Sequence, residues 1–308
     1  MNEVLTLVPD DTTPSVAEWA ASGAHFSWRG HRVFYRDEGE GEALLMIHGV
    51  PMASWAWARV WPLLRRRYRL IAVDLLGFGL SDKPPELVAD VAAQAAMCRA
   101  LLTRIGVARY RVLAGDYGAT VAQELLARRG YPALAGLCLL NGGIFPEAHR
   151  PSPGQRLVGT RLGRPLARLI WRGAFAHSLR RMSGPETRPD RRTVDALWSL
   201  LMRDDGRAVL PAMMGYTQAR RQNRDRWVGA LTRATVPCRF VCGIADPVAG
   251  RRMADAWRAH LPGRDVIELP GIGHWPELEA PRTLADAVLD LYGPEAESDR
   301  IAVDDSRP

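Results

Sequence analysis

Three short segments carry side chains whose types and spacing suit nucleophilic hydrolysis. Asp116 is the central residue of AGDYG (114–118), a small-x-acid-x-small pattern between an apolar run and a helical pattern. Small residues permit a sharp strand-to-helix turn, which lifts its central side chain above the sheet. Asp246 follows a second apolar run within GIADP, and His274 follows a third within GIGHWP. Nucleophile, acid and histidine in this chain order predict a catalytic triad.

Each segment alone also has an ordinary structural explanation. Asp116 stands where a helix N-cap is expected, and an aspartate before a proline, as in Asp246-Pro247, is a common turn residue. His274 lies between a glycine and a tryptophan and would serve equally as a structural histidine. All three occur in the order of a triad, each after an expected strand end, and this joint occurrence favours catalysis.

A fourth segment could supply the oxyanion hole. His48, Gly49, Val50 and Pro51 form the motif HGVP directly after another apolar run. In this position the backbone N–H of Val50 could act with the backbone N–H of Tyr117, the residue after the nucleophile.

A carboxylate nucleophile directs the reaction toward saturated carbon. A serine needs a base before it attacks, whereas an aspartate, with an ordinary pKa of about 3.9, is already ionised at neutral pH. Attack on an ester carbonyl would leave an anhydride. Attack on a carbon bearing a leaving group or a strained ring leaves a stable alkyl ester, which water activated by His274 then hydrolyses. We expect Asp246 to orient His274 in this step.

Apolar runs alternate with helical patterns along most of the chain, which predicts an α/β fold with a mostly parallel sheet covered on both faces. The predicted strands are His25–Arg29, Val33–Asp37, Ala43–Ile47, Arg69–Val73, Arg111–Ala114, Leu134–Leu140, Arg239–Cys242 and Val266–Leu269. The predicted helices are Trp55–Leu64, Val88–Ile105, Tyr117–Arg129, Gly250–His260 and Pro281–Leu291.

The alternation of strand and helix patterns stops between the sixth and seventh predicted strands. This stretch is helical, rich in arginine and interrupted by prolines, and it must leave the sheet and return to it. We interpret it as a helical cap over the carboxyl ends of the strands, where open α/β sheets bind ligands. The predicted organisation is a core of residues 20–141 and 236–292, a cap of residues 142–235 and a disordered tail of residues 293–308.

Longer motifs extend these segments into a family resemblance. They are Trp19-x-x-Ser22-Gly23, Phe34-Tyr35-x-Asp37, DLLGFGLSDKP (74–84), DYG with VAQELL (116–126), LNGGIFPEAHRP (140–151), GPETRP (184–189) and RWVGAL (226–231). With them the chain resembles the α/β-hydrolase superfamily, in the aspartate-nucleophile branch of epoxide hydrolases and haloalkane dehalogenases. Within that branch it looks like the mesoderm-specific transcript family. The resemblance implies the α/β-hydrolase fold with eight strands, a cap inserted after strand 6, and triad roles for Asp116, Asp246 and His274. One departure is Gly115, where members of that family have a histidine.

The identity of the electrophile depends on the donors beside the nucleophile. Dehalogenases of this branch hold the halide with side-chain N–H groups at places where this chain has Tyr117 and Val50, which supply none. Epoxide hydrolases use cap tyrosines as proton donors, and Tyr216 is the only tyrosine between residues 147 and 235. We therefore expect an epoxide hydrolase-like enzyme for a small to medium apolar substrate. A haloalkane dehalogenase, an esterase or lipase, and a non-catalytic binding module for an apolar ligand remain open.

Charge is distributed unevenly along the chain. The net charge is +7, yet residues 147–235 hold 18 arginines against 7 acidic residues, which gives +11 for the cap alone. A solvated face is the ordinary explanation, and a weak membrane-surface contact through the basic cap is the functional one. Residues Arg156 to Arg172 have the pattern of a basic amphipathic helix, which would lie either at a lipid interface or over the active site.

The remaining expectations concern cofactors, partners and location. The four cysteines lack the paired spacing of a zinc site, so we expect reduced thiols, no metal and no cofactor. The partner expected is an apolar small molecule, not a nucleic acid. Residues 1–14 carry acidic residues and no basic one, which indicates neither a secretory signal nor a transit peptide. We therefore expect a cytoplasmic protein.

Overall fold

The computed structural model describes residues 13–158, 160 and 163–292. The predictions for most of the N-terminal segment and for the tail of residues 293–308 lie outside these residues. Within them, no helix is both long enough and apolar enough to cross a bilayer.

Eight strands form one sheet in the order β1-β2-β4-β3-β5-β6-β7-β8. The strands are β1 (Ala24–Trp28), β2 (His31–Glu38), β3 (Glu42–Ile47), β4 (Tyr68–Val73), β5 (Arg109–Ala114), β6 (Ala133–Leu140), β7 (Cys238–Gly243) and β8 (Asp265–Leu269). Strands β3 to β8 are parallel, and β2 pairs antiparallel with both β1 and β4. All eight predicted strands and the mostly parallel α/β-hydrolase sheet are confirmed.

The central strands are buried on both faces because helices cover the sheet from either side. Leu44, Leu45, Met46 and Ile47 of β3 are fully buried without any alternation. This continuous apolar pattern is typical of parallel strands in a covered sheet. The helices around the sheet are α1 (Val16–Ala21), α2 (Trp61–Leu64), α3 (Val91–Arg104), α4 (Tyr117–Ala127), α12 (Arg251–His260), α13 (Pro276–Glu279) and α14 (Pro281–Leu291).

Among the residues described between β6 and β7, where the sequence predicts a cap, seven further helices form. They are α5 (Pro153–Val158), α6 (Gly163–Arg168), α7 (Arg172–Met182), α8 (Arg191–Met202), α9 (Leu210–Met213), α10 (Tyr216–Gln222) and α11 (Arg224–Thr232), with a 3-10 segment at Arg203–Val209. The last of them, α11, is tied to the core because the Trp227 indole and Arg226 donate to Glu124 of α4.

Two of the predicted helices around the sheet differ from the observed ones in their type or their start. The stretch predicted as Trp55–Leu64 is a 3-10 segment (Ser54–Arg59) followed by α2, whose Pro62 lacks the N–H that a continuous helix needs. Helix α3 starts three residues later than predicted because the Asp90 side chain accepts from Ala93 N–H at its N-terminus.

The expected continuous amphipathic helix from Arg156 to Arg172 is wrong. Two short helices, α5 and α6, occupy most of this stretch, and Pro165 lies in the first turn of α6. Proline is tolerated there, whereas in the interior of one long helix it would remove a backbone hydrogen bond.

The four cysteines, all within the described part of the chain, are buried and unpaired. Burial raises the pKa of the Cys98 and Cys138 thiols to about 12, so both stay protonated.

Candidate active site

Asp116 lies in a strained turn between β5 and α4. Its φ is 45° and its ψ is −108°, a region that residues other than glycine rarely adopt. The turn is held because Asp116 N–H donates to the Asn141 carbonyl at 2.7 Å, and because Gly118 lies so close to β3 that an added Cβ would be 2.2 Å from the Ile47 carbonyl oxygen. Among the described residues, the Asp116 side chain caps no N–H of α4. The helix-cap explanation of this aspartate is therefore wrong.

Donors surround the buried Asp116 carboxylate instead. Val50 N–H donates to Oδ2 at 2.9 Å, and the Tyr216 hydroxyl donates to Oδ1 at 3.3 Å. Arg220 Nη2 donates to the Asp116 carbonyl oxygen at 2.8 Å and lies 3.5 Å from Oδ1. Core and cap thus converge on a single carboxylate, with a backbone N–H at one oxygen and a phenol and a guanidinium at the other.

The HGVP motif orients the Val50 N–H through a neutral histidine. Leu75 N–H donates to His48 Nε2 at 3.1 Å, so the ring proton is on Nδ1 and donates to the Gly49 carbonyl at 2.9 Å. Burial lowers the pKa of His48, which favours this neutral form. In the Gly49–Val50 peptide the N–H points opposite to the carbonyl. The His48 bond therefore directs Val50 N–H toward Asp116.

His274 and Asp246 form a buried pair at the carboxyl ends of the strands. His274 Nδ1 lies 2.6 Å from Asp246 Oδ2. Asp246 also accepts from Val248 N–H at 2.8 Å and from Asn141 Nδ2 at 2.9 Å. Because Nδ1–H faces the carboxylate, Nε2 is the nitrogen available to a water or a substrate.

Charge coupling shifts the pKa values within this pair. Burial alone would lower the pKa of His274, but the carboxylates of Asp246 and Asp116 outweigh it and raise the pKa to about 9. Burial likewise opposes ionisation of Asp246, and His274 and the hydrogen bonds hold its pKa below the usual value. The raised pKa favours the protonated form of His274 at neutral pH.

Tyr117, expected to supply the second oxyanion N–H, is the first residue of α4. Its N–H is thus one of the helix-terminal groups that have no partner within the helix. Its side chain points away from Asp116, since the hydroxyl donates to the Val88 carbonyl at 2.9 Å. The ring packs against Tyr216, with the centroids 4.8 Å apart.

An apolar cavity of ≈ 420 Å³ lies beside His274 and extends along the cap helices. Val50, Pro51, His274 and Trp275 line its inner part, and the cap supplies most of the remaining wall. Its main cap residues are Leu157, Val158, Leu166, Leu169, Ile170, Trp171, Phe175, Leu179, Met182, Leu210 and Met214. An apolar ligand of small to medium size fits this lining.

Comparison with known proteins identifies the family. A model of the alpha/beta hydrolase family matches residues 44–287. The chain belongs to the α/β-hydrolase family. It is 37% identical over 301 residues to the human mesoderm-specific transcript homolog protein, with 92% of this chain and 90% of that protein covered. This confirms the resemblance to the mesoderm-specific transcript family.

Two other α/β-hydrolases extend the comparison. Haloalkane dehalogenase 2 of Mycobacterium tuberculosis is 26% identical over 289 residues, covering 92% of this chain and 99% of that protein. The solved structure of the epoxide hydrolase CorEH superposes with a TM-score of 0.73 at 20% identity, covering 88% and 98% of the two chains. At that identity CorEH supports the shared fold alone.

Sequence reasoning missed Asn141, which links two parts of this hydrolase site. Its carbonyl accepts from Asp116 N–H, and its side-chain amide bridges Asp246 and the backbone of Gly243. The available signals were its position directly after β6, at the edge where the strands end, and its place in the motif LNGGIFPEAHRP (140–151). Asn141 thus fixes the Asp116 turn and the Asp246 loop relative to each other.

Arg220, the second missed residue, is almost fully buried, with 2% of its surface exposed. Its Nε donates to Thr120 Oγ1 at 2.6 Å, and its guanidinium carbon lies 4.4 Å from the centre of the Tyr216 ring. The i, i+4 spacing from Tyr216 on α10 was the available signal.

His149 of the cap is held in its neutral form. Burial is the main cause, and the positive charge of Arg220 is the second; together they lower the pKa of His149 to about 4.

The histidine loop is held against the cap. Glu279 Oε2 accepts from Gly184 N–H and Gly273 N–H, each at 2.8 Å, and from the Thr187 hydroxyl at 2.5 Å. His274 N–H donates to the Met182 carbonyl at 2.9 Å. The GPETRP motif therefore anchors the loop that carries His274.

Among the residues that the structure describes, no group of three or more His, Cys, Asp or Glu side chains could hold a metal ion.

Proposed function

We propose that this α/β-hydrolase uses Asp116 as a nucleophile toward a saturated carbon, forms an alkyl ester on it, and hydrolyses that ester with water activated by His274. The substrate proposed is a small to medium apolar epoxide. The observation that carries the proposal is the Asp116 carboxylate itself, with Val50 N–H at one oxygen and the Tyr216 hydroxyl at the other.

In the first half-reaction Asp116 Oδ1 attacks a ring carbon and the carbon–oxygen bond of the epoxide breaks. The opening oxygen takes a proton, and Tyr216 is placed to donate to it once its hydrogen bond turns from Oδ1. Burial and the nearby Asp116 raise the pKa of Tyr216, which keeps its hydroxyl protonated and able to donate. The protonated His274 supplies the net proton and so becomes neutral.

In the second half-reaction the neutral His274 removes a proton from water, which attacks the carboxyl carbon of Asp116. The negative charge of the tetrahedral intermediate develops on the Asp116 oxygen that faces Val50 N–H. Collapse of this intermediate breaks the bond between the carboxyl carbon and Oδ1, which leaves as the product hydroxyl with the second proton of the water, so that the Asp116 carboxylate and the protonated His274 are restored. Ester formation also removes one of the two carboxylates that raise the pKa of His274. The base therefore becomes effective when the ester is present.

Tyr216 favours an epoxide over a halide. A phenol at the nucleophile suits an opening alkoxide, whereas Val50 and Tyr117 bring no side-chain N–H to hold a departing halide. Haloalkane dehalogenation remains the second candidate because a relative carrying that name is 26% identical. Esterase or lipase action would require Asp116 to attack a carbonyl and leave an anhydride.

The test is the covalent intermediate. A His274→Ala variant given a reactive epoxide should gain one substrate mass, and peptide mapping should locate that mass on Asp116. A serine-type hydrolase needs its histidine for the first attack as well and would show no adduct. The matched control is the double variant Asp116→Asn/His274→Ala, which should remain unmodified.

Labelled water provides the complementary measurement. One turnover of the wild-type enzyme in heavy-oxygen water should leave the label in the Asp116 side chain, because water attacks the carboxyl carbon. Turnover without that label would show that water attacks the substrate directly. Tight ligand binding without turnover of epoxide, haloalkane or ester would favour a binding module.

A further inference from the structure

Most of the exposed large apolar side chains in the described part of the chain surround one opening. Four such residues are strongly exposed: Tyr131 at 59%, Leu157 at 52%, Leu169 at 70% and Trp171 at 67%. All except Tyr131 also line the apolar cavity that leads to His274. We call Leu157, Leu169 and Trp171 the apolar rim. Exposed apolar residues grouped around a cavity mouth mark an interaction surface.

Basic residues accompany the apolar rim. Arg156 directly precedes Leu157 and Arg168 directly precedes Leu169, and both arginines are exposed. Neither forms an ion pair with a residue that the structure describes, whereas Arg172 beside Trp171 is paired with Asp195. From Ala148 to Met182 the sequence contains no acidic residue, and its arginines are Arg150, Arg156, Arg161, Arg164, Arg168, Arg172, Arg180 and Arg181.

We propose that the apolar rim docks on the surface of an anionic lipid bilayer, with Leu157, Leu169 and Trp171 at the acyl boundary and Arg156 and Arg168 at the phosphates. Apolar side chains flanked by arginine are the composition of interfacial membrane segments. The cavity then opens toward the lipid phase, from which an apolar substrate can enter without crossing water. This docking does not depend on which bond the enzyme cleaves.

Charge argues against a second copy of the chain as the occupant. In a two-fold dimer the same patch faces itself, so the unpaired arginines around the rim would oppose one another. A surface of phosphates complements the same charge. The docked arginines also remain near water, which avoids the cost of burying them.

Vesicle co-sedimentation tests the proposal. The wild-type protein should bind vesicles that contain phosphatidylglycerol more tightly than vesicles of phosphatidylcholine alone, and salt should weaken the binding. Leu169→Gln/Trp171→Gln should reduce binding at least about tenfold, since both apolar contacts are lost. Arg156→Gln/Arg168→Gln should reduce it about fivefold per arginine on anionic vesicles only.

Matched controls separate the rim from general effects. Tyr131→Gln removes an equally exposed aromatic residue elsewhere, and Arg104→Gln/Arg129→Gln removes the same charge outside the rim. Both should bind as the wild type does, and all variants should keep its melting temperature. Equal losses in these controls, or no preference for anionic vesicles, would refute the proposal. So would a wild-type dimer that ignores vesicles and becomes monomeric in Leu169→Gln/Trp171→Gln, because the rim would then contact a second copy.

Discussion

We expect Arg220 to slow the first half-reaction of the proposed mechanism and to accelerate the second. Its Nη2 lies 3.5 Å from Asp116 Oδ1 with both side chains buried. At that separation, an effective dielectric constant of about 20 gives an attraction of about 5 kcal/mol before desolvation is subtracted. This attraction favours the free carboxylate, disappears in the neutral ester and returns when the ester bond breaks and negative charge develops on Oδ1, the oxygen that leaves with the product. Arg220 therefore opposes ester formation and assists ester hydrolysis.

The variant that tests this is Arg220→Gln. Hydrolysis of the alkyl ester should slow by about 10²–10³, the usual effect of losing one donor to a developing oxyanion. Ester formation should change far less or become faster. Rapid-quench mass spectrometry measures the two steps separately. The Arg220→Gln variant should show a burst in which the alkyl-enzyme ester accumulates, and the wild type should not.

Stability must be measured on the same protein. Removing one member of a buried ion pair typically costs about 3–5 kcal/mol, so Arg220→Gln should unfold at a lower urea concentration. Thr120→Val is the matched control, since it removes the Arg220 Nε contact and keeps the charge. If Arg220→Gln slows both half-reactions equally, or if Thr120→Val reproduces the burst, Arg220 only supports the fold and the charge argument is refuted.

Three further predictions concern neighbouring groups. Tyr216→Phe should slow epoxide ring opening by about 10²–10⁴ and leave ester hydrolysis unchanged in a single-turnover assay; an unchanged opening rate would remove Tyr216 from the mechanism. The raised pKa of His274 means that its stabilising contribution is complete below about pH 6.5 and declines as the pH rises toward about 9. Urea unfolding should therefore lose up to about 1.4 kcal/mol per pH unit in this window, and His274→Ala should remove that slope. His48→Ala should cost about 1–3 kcal/mol by leaving Leu75 N–H unpartnered, and it should slow ester hydrolysis by releasing the Val50 N–H; normal kinetics would contradict the orienting role.

Much of the fold was predictable because its signals are local. The burial of a strand segment such as Leu44–Ile47, or of a helix such as Tyr117–Ala127, can be predicted from the apolar residues of that segment alone. The first and last residues of helices were harder to predict, because a single residue can decide them. Pro62 lacks a backbone N–H, and the Asp90 side chain accepts from the N-terminus of α3. Composition also indicated a basic cap, but it suggested one helix where two short ones form.

The sequence by itself determined which chemical groups are available and in what order. Asp116, Asp246 and His274 follow the parallel strands β5, β7 and β8, and the carboxyl ends of parallel strands meet at one edge of the sheet. Tertiary structure alone decided what surrounds them. Arg220 lies 104 residues from Asp116 along the chain. Asn141, whose carbonyl accepts from Asp116 N–H, lies 105 residues from its other partner, Asp246. The Arg220 contact forms when the cap folds back over the sheet, and the Asn141 contact forms when β6 pairs with β7. Neither burial nor partner could be read from the local sequence, because a buried arginine and a solvated one look alike there.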